Sequence, residues 1–476
     1  MRTLLCCLAL LLSTTALAET YDIVIEGGRV MDPETGLDGV RNVGISQGKI
    51  RRISAENLSG ERVIKAKGLV VAPGFIDLHQ HAQDLESGRL KAFDGVTSAL
   101  ELEIGVPDVA KFLAAKRGHA IVNYGTSASH PAARAAAFGS PLPEGEILPK
   151  AGPATNDAAS EEQISLIKAR LEHELDAGAI GLGMGLEYTP GASHEEVIDM
   201  FDIAAERIVP VFVHIRGASL SDPNSGVGSV EEVIGAAAVS GASLHIVHIN
   251  SMCMKKAPVC LAMIGGARAR GLDVTTEAYP YGAAMTFINS AAFNPGWREE
   301  NGIDYGDLAL PDTGERLTKE RFDELHASSK PQLVLMYINS QATVDAIMPN
   351  PLVIVASDGG PGHPRNAGTY AKVLARYVRE LGSISLMDAI RKMSLMPAQR
   401  LEKSSPAARL KGRLQEGADA DVVVFDPATV VDHATYQAPR APSSGMQYVL
   451  VNGTPVIFQG KSVSDAYPGK ALQNHD

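Results

Sequence analysis

Eight short apolar runs, each followed by helical or loop-like residues, constrain the fold of this chain more than any other feature. They occupy residues 69–78, 98–103, 120–125, 179–185, 210–215, 244–249, 273–278 and 352–357. Short apolar runs bounded by turn residues read as strands buried on both faces. Between them, stretches such as 193–208 and 229–238 open on serine and carry early glutamates, as helix N-termini do. Strands alternating with helices give a parallel sheet, and eight such strands close into a barrel. The expected fold is therefore α/β, a (β/α)8 TIM-like barrel.

The two ends of the chain read differently. Residues 22–26, 29–32, 42–45 and 49–53 form short strand patterns with turns between them, and 420–426 and 448–453 look alike. Neither end alone can bury both faces of a sheet, so a small β-sandwich built from both is expected. The reading assigns 19–70 and 406–476 to that sandwich and 71–405 to the barrel. The segment 286–351 is too long for a plain connection, which makes it an insertion over the barrel mouth with a helix near 319–328. Residues 1–18 join Arg2, an apolar run over 4–12 and Ala16-Leu17-Ala18. That order is a secretory signal cut after about Ala18, too short to span a membrane, and it predicts a secreted or periplasmic protein. Beyond it lie two cysteines, Cys253 and Cys260, which either pair across a small loop or sit as small buried side chains.

Composition sets limits on partners. Apolar residues make up 45% of the 476, enough for a large core, and the net charge is −12. No basic block interleaved with aromatics appears, which argues against nucleic acid. No membrane span is expected, and the sequence leaves the oligomeric state open.

Functional groups in such barrels sit at the C-terminal ends of the strands. The polar residues fall there: His79 and His81 after the first run, Glu101 and Glu103 in the second, His214 after the fifth, His248 after the sixth and Asp358 after the eighth. Alternation along a strand points His79 and His81 the same way. A single histidine in such a place is more often structural. Four histidines and a carboxylate, each at the active end of an expected strand, make a metal site instead. Imidazole and carboxylate donors suit Zn²⁺ best, as one or two ions, with Mn²⁺ or Fe²⁺ as alternatives.

Three motifs extend this reading. They are Gly185-Leu186-Glu187-Tyr188-x-Pro190; Tyr279-Pro280-Tyr281; and Ser357-Asp358-Gly359 followed by His363-Pro364-Arg365 and Gly368-Thr369-Tyr370. With these stretches the chain resembles the amidohydrolase superfamily and, within it, the N-acyl-D-amino acid deacylase (D-aminoacylase) family, over nearly its whole length. The resemblance implies that His214 and His248 hold a tightly bound zinc. It places His79 and His81 at a second metal position and makes Asp358 the catalytic carboxylate. It puts Tyr279 or Tyr281, with Arg365, at the substrate, where the Arg365 fork would take a free carboxylate, and Tyr188 is a further candidate contact.

Two departures from the family stand out. The family carries a cysteine ligand late in its second strand, where this chain reads Leu100-Glu101-Leu102-Glu103-Ile104-Gly105. Glu101 and Glu103 share a face, and Glu103, nearer the strand end, is taken as the replacement ligand. Asn250 stands where the family has a lysine that contacts a carboxylate, so Asn250 is read as a substrate-contacting position whose change affects the usual substrate. The expected activity is hydrolysis of non-peptide C–N amide bonds by metal-activated water with Asp358 as base. N-acyl-D-amino acids lead as substrates; dipeptides or cyclic amides are the alternative.

Overall fold

The computed structural model describes residues 20–217, 225–328 and 330–475. The expected signal segment lies outside the described residues.

Eight parallel strands form one sheet in strict chain order. They are β1 (Phe75–Asp77), β2 (Val96–Val106), β3 (Asn123–Ser129), β4 (Leu182–Gly185), β5 (Val211–His214), β6 (Leu244–Ile246), β7 (Val274–Ala278) and β8 (Val353–Val355). The seam between β8 and β1 closes just past the strand ends. There the Gly359 N–H donates to the His79 carbonyl at 3.2 Å and the His81 N–H to the Gly359 carbonyl at 2.9 Å. A Cβ on Gly359 would lie 2.1 Å from Gln80 Oε1, so only glycine lets the two strand ends approach this closely. The sheet is nearly a closed α/β barrel. Its strands are almost wholly buried and pack against the surrounding helices in one large apolar cluster.

The helices are fixed by local chemistry as well as packing. His194–Glu206 begins at Ser193, whose hydroxyl accepts from the Glu196 N–H, with Glu195 and Glu196 in the first turn. Glu161–Asp176 begins with a Ser160/Gln163 capping box. Gly226–Ser240 starts three residues earlier than its sequence pattern suggests and has no side-chain cap bond.

Both chain ends meet in a second, nine-stranded sheet. Its junction is antiparallel pairing of Val70–Pro73 with Val422–Phe425. Ile23, Ile25, Val43, Ile45, Val422 and Val424 form its own apolar cluster. The run 69–78 is thus split at Gly74: its first half belongs to the second sheet and its second half opens the barrel. The end of the chain also departs from expectation. β4 pairs with β3 only at Ala128 and Ser129, so the backbone of Tyr124 needs another partner. It is supplied by the Lys470 carbonyl and the Leu472 N–H, at 3.0 and 2.7 Å.

The insertion begins at Ala283. Ala283–Phe287, Leu308–Ala309 and Leu333–Tyr337 form a three-stranded antiparallel sheet. Phe293, Trp297, Phe322 and Val334 give it a core of its own, so Trp297 anchors the insertion. Among the described residues no helix is long and apolar enough to cross a membrane.

Candidate metal centre

At the C-terminal mouth of the barrel, the side chain of Glu103 lies between two pairs of histidines. Oε1 is 2.7 Å from His214 Nδ1 and 2.7 Å from His248 Nε2. Oε2 is 3.1 Å from His79 Nε2 and 3.1 Å from His81 Nε2. Asp358 Oδ1 closes the second pair, 3.5 and 3.4 Å from the same two nitrogens. Three groups of donors converge here: Glu103 with His214 and His248, Glu103 with His79 and His81, and His79 with His248 and Asp358. Two of the residues sit on left-handed backbone, His248 at φ 26° and Asp358 at φ 50°. Such strain in non-glycine residues concentrates at functional sites.

The other ring nitrogen of every one of these histidines is engaged. His79 Nδ1 meets Glu277 Oε1 at 2.6 Å, and His81 Nδ1 meets Glu101 Oε2 at 2.8 Å. His214 Nε2 meets Glu187 Oε2 at 2.6 Å, and His248 Nδ1 meets the Ser251 hydroxyl at 3.0 Å. Partners of this kind fix tautomer and ring orientation, and they are the usual accompaniment of metal-ligating histidine. The chemistry of the donor set fits a zinc-type ion: imidazole nitrogens and a carboxylate, buried except for the partly exposed His81, turned inward on common points.

Glu101 therefore differs from Glu103 in role. It reaches only His81, from behind. Glu277 and His245 were not anticipated. Glu277 Oε2 is 3.0 Å from His245 Nε2, His245 Nδ1 is 2.8 Å from Thr275 Oγ1, and Thr275 is 3.4 Å from Arg400. Arg400 is paired with Asp273 at 2.9 Å. A polar chain thus runs from His79 back along the barrel. A carboxylate in the middle of an otherwise buried strand was the signal that could have found it.

Burial opposes charge throughout the cluster, and the neighbours decide the outcome. For Asp358 the guanidinium of Arg365, then His79, overcomes burial and holds the carboxyl well below the usual range. Glu103 is held well below its ordinary value by His79 and His214 against the same burial penalty. His214 is burdened by burial yet raised to about 9 by Glu103. His248 goes the other way, pushed down by burial and by the charge on His214.

Arg365 opens the helix Arg365–Lys372 and is almost wholly buried. Its Nη2 lies 2.8 Å from Asp358 Oδ2, and its guanidinium carbon is 4.7 Å from the centre of the Tyr279 ring. Its Nε and Nη1 have no hydrogen-bond partner among the described residues. The Tyr188 ring packs at a tilt against His214, 4.8 Å between ring centres, and its hydroxyl accepts from Thr286 at 3.1 Å.

Three expected substrate contacts line neither cavity; of these, Tyr279 packs on Arg365 and His248. Tyr281 packs on His363, 5.5 Å between ring centres, with Lys372 Nζ 4.1 Å from its own ring centre, away from the cavity. The strand ends at Ala278 and the chain bends at Pro280, so the alternation that would align Tyr279 with Tyr281 no longer applies. Asn250 is also turned away, 3.4 Å from the backbone N–H and carbonyl of Tyr279. It lies in the short helix Ile249–Cys253, where Ser251 and Met252, three and four residues past His248, face the cavity instead. Cys253 and Cys260 form a disulfide behind that helix.

Two neighbouring cavities share His81, Glu103, Tyr188, Met285 and Thr286 in their walls. The inner one, about 510 Å³ including its open mouth, runs past His214 and His248 beneath Met285 and Met336 of the insertion. The outer one, about 1170 Å³ including its open mouth, is bounded by Arg365, Leu148 and Leu333.

Comparison with known proteins agrees with this geometry. The profile of the amidohydrolase family matches residues 146–457. An N-acyl-D-glutamate deacylase of Alcaligenes xylosoxydans xylosoxydans is 31% identical over 96% of this chain and 97% of its own length. A D-aminoacylase of the same organism is 27% identical over 96% and 98%. The crystal structure of an N-acyl-D-glutamate deacylase from Bordetella bronchiseptica, complexed with zinc and a phosphonate mimic of the reaction's tetrahedral intermediate, superposes with a TM-score of 0.80. It is 27% identical over 96% of this chain and all of that one. With family profile, sequence relatives and fold in agreement, the chain belongs to the amidohydrolase family.

Proposed function

We propose that this protein is a zinc-dependent hydrolase of N-acyl-D-amino acids, cleaving the amide to a carboxylate and a free amino acid. The observation that carries the proposal is the Glu103 carboxylate between two oriented histidine pairs, with the Asp358–Arg365 pair alongside. His214, His248 and Glu103 Oε1 would hold one ion; His79, His81 and Glu103 Oε2, with Asp358, would hold a second. When bound, zinc supplies a water acidic enough to act as nucleophile at neutral pH and polarises the scissile carbonyl.

The chain's own residues do the rest. Arg365 keeps Asp358 ionised through Oδ2 and leaves Oδ1 facing the reacting centre. Oδ1 takes the proton from water as its oxygen bonds to the acyl carbon. It then delivers that proton to the nitrogen as the C–N bond breaks. The two donors of Arg365 that have no partner among the described residues would receive the free carboxylate of the substrate. The D configuration and the acyl-amino-acid class are supported by the names of the similar deacylases. We also propose that residues 1–18 export the protein, a reading supported by the Cys253–Cys260 disulfide, since such bonds persist in oxidising compartments.

The test is hydrolysis of N-acetyl-D- and N-acetyl-L-amino acids by the zinc-loaded protein beside Asp358→Asn. The D series should be turned over, and the variant should keep the ion at His214, His248 and Glu103 while kcat falls by about 10³. Near-normal turnover by Asp358→Asn would remove it as the base, and preference for the L series would remove the assigned configuration.

A further inference from the structure

We infer that the amino-acid side chain of the substrate is apolar and that a second carboxylate is rejected, which would separate this protein from its relative named for D-glutamate. The inference rests on the deacylase reading and on which cavity holds which half of the substrate. Arg365 borders the outer cavity and not the inner one, whereas His81 and Glu103 border both. With the substrate's carboxylate on Arg365 and its amide carbonyl beside Glu103, the α-carbon lies on the floor of the outer cavity. Its side chain then projects into that cavity, and the acyl group enters the inner one.

The walls of the outer cavity are Ile104, Ile147, Leu148, Phe287, Leu333 and Pro361. Apart from Arg365 and the metal-site residues, its charged groups are Glu146 and Lys150, which are paired with each other at 2.5 Å. Arg365 is committed to Asp358 and, in this reading, to the α-carboxylate. A carboxylate on the substrate side chain would therefore leave water for apolar walls, meet no free cation among the described lining residues, and face Glu146. Desolvating an ion without a partner carries a large penalty, whereas an aliphatic or aromatic side chain gains by the same burial.

The experiment compares kcat/KM of the zinc-loaded full chain for N-acetyl leucine, phenylalanine, glutamine and glutamate in the configuration it accepts. Leucine and phenylalanine should exceed glutamate by about 100-fold, equivalent to about 2.7 kcal/mol at 1.36 kcal/mol per tenfold. Glutamine, matching glutamate in size without its charge, should fall between them. Leu333→Arg, a half-buried position at the end of its strand, should raise glutamate turnover at least tenfold at the expense of leucine. A leucine preference under tenfold, or a preference for glutamate, overturns the inference and leaves the deacylase reading standing. No turnover of any N-acyl amino acid overturns both.

Discussion

Replacing Glu103 by glutamine, beside the same change at Glu101, separates a ligand from a supporting residue. Glu103 makes four contacts to ring nitrogens, two at 2.7 Å and two at 3.1 Å, shared between both histidine pairs. Glu101 makes one, to the far nitrogen of His81. A zinc site of four ligands binds with about 10–16 kcal/mol in all, or about 3 kcal/mol per ligand, so Glu103→Gln should weaken each position by about 10²-fold. Glu101→Gln removes only an orienting partner, worth about 10–100-fold, and only at the His79/His81 position. The assay is bound metal by mass spectrometry after dialysis against graded free zinc. Glu103→Gln should lose both ions at zinc levels where Glu101→Gln keeps the one at His214 and His248. If Glu101→Gln empties the protein while Glu103→Gln retains two ions, the placement of the bridging carboxylate is wrong.

Other consequences follow from the surrounding chemistry. Glu277→Gln should weaken only the His79/His81 position, by about 10–100-fold, read as zinc stoichiometry at limiting free metal. Replacing both Cys253 and Cys260 by serine opens a small loop (sequence separation 7), and loop-closure entropy for about eight residues predicts a loss of about 2.5 kcal/mol, measured by denaturant unfolding. Asp273 is held below its ordinary value: burial opposes this, but Arg400 outweighs it. A carboxyl depressed in the folded state contributes stability above its unfolded pKa near 3.8, and that contribution is lost as pH falls below it. Asp273→Asn should therefore lower Tm at pH 6 and flatten its decline between pH 4 and 3, while an unchanged acid limb would show that another carboxylate governs it.

The barrel was legible because its strands are buried on both faces and its helices carry N-terminal serines and glutamates. Both signals are local, so eight short runs could be found without knowing what they touch. Boundaries were less legible where backbone pairing, not apolarity, decides membership. Val70–Pro73 and Phe75–Asp77 form one apolar run, yet they serve two sheets. Nothing in the side chains of 470–472 announces that their backbone completes β3.

The same division runs through the metal centre. Its inner residues stand at strand ends, where barrel geometry makes position informative, and the His79/His81 and Glu101/Glu103 alternations could be read directly. Their outer partners follow no such rule. Glu277 and Glu187 were visible only as a charge in a buried strand and as part of a motif, because the contact that gives each a role joins residues far apart in sequence. The alternation rule also misled once it passed a strand end: Tyr281 lies beyond the bend at Pro280, and Asn250 on the far side of a new helical turn. Sequence periodicity therefore locates the candidate metal donors, which sit at the ends of regular structure, better than the groups that orient them or the proposed substrate contacts beyond those ends. Glu103 shows why the distinction matters. Its neighbour Glu101 has the same residue type and the same face, and only the three-dimensional spacing of four histidines puts one carboxylate between both pairs and the other against a single ring nitrogen.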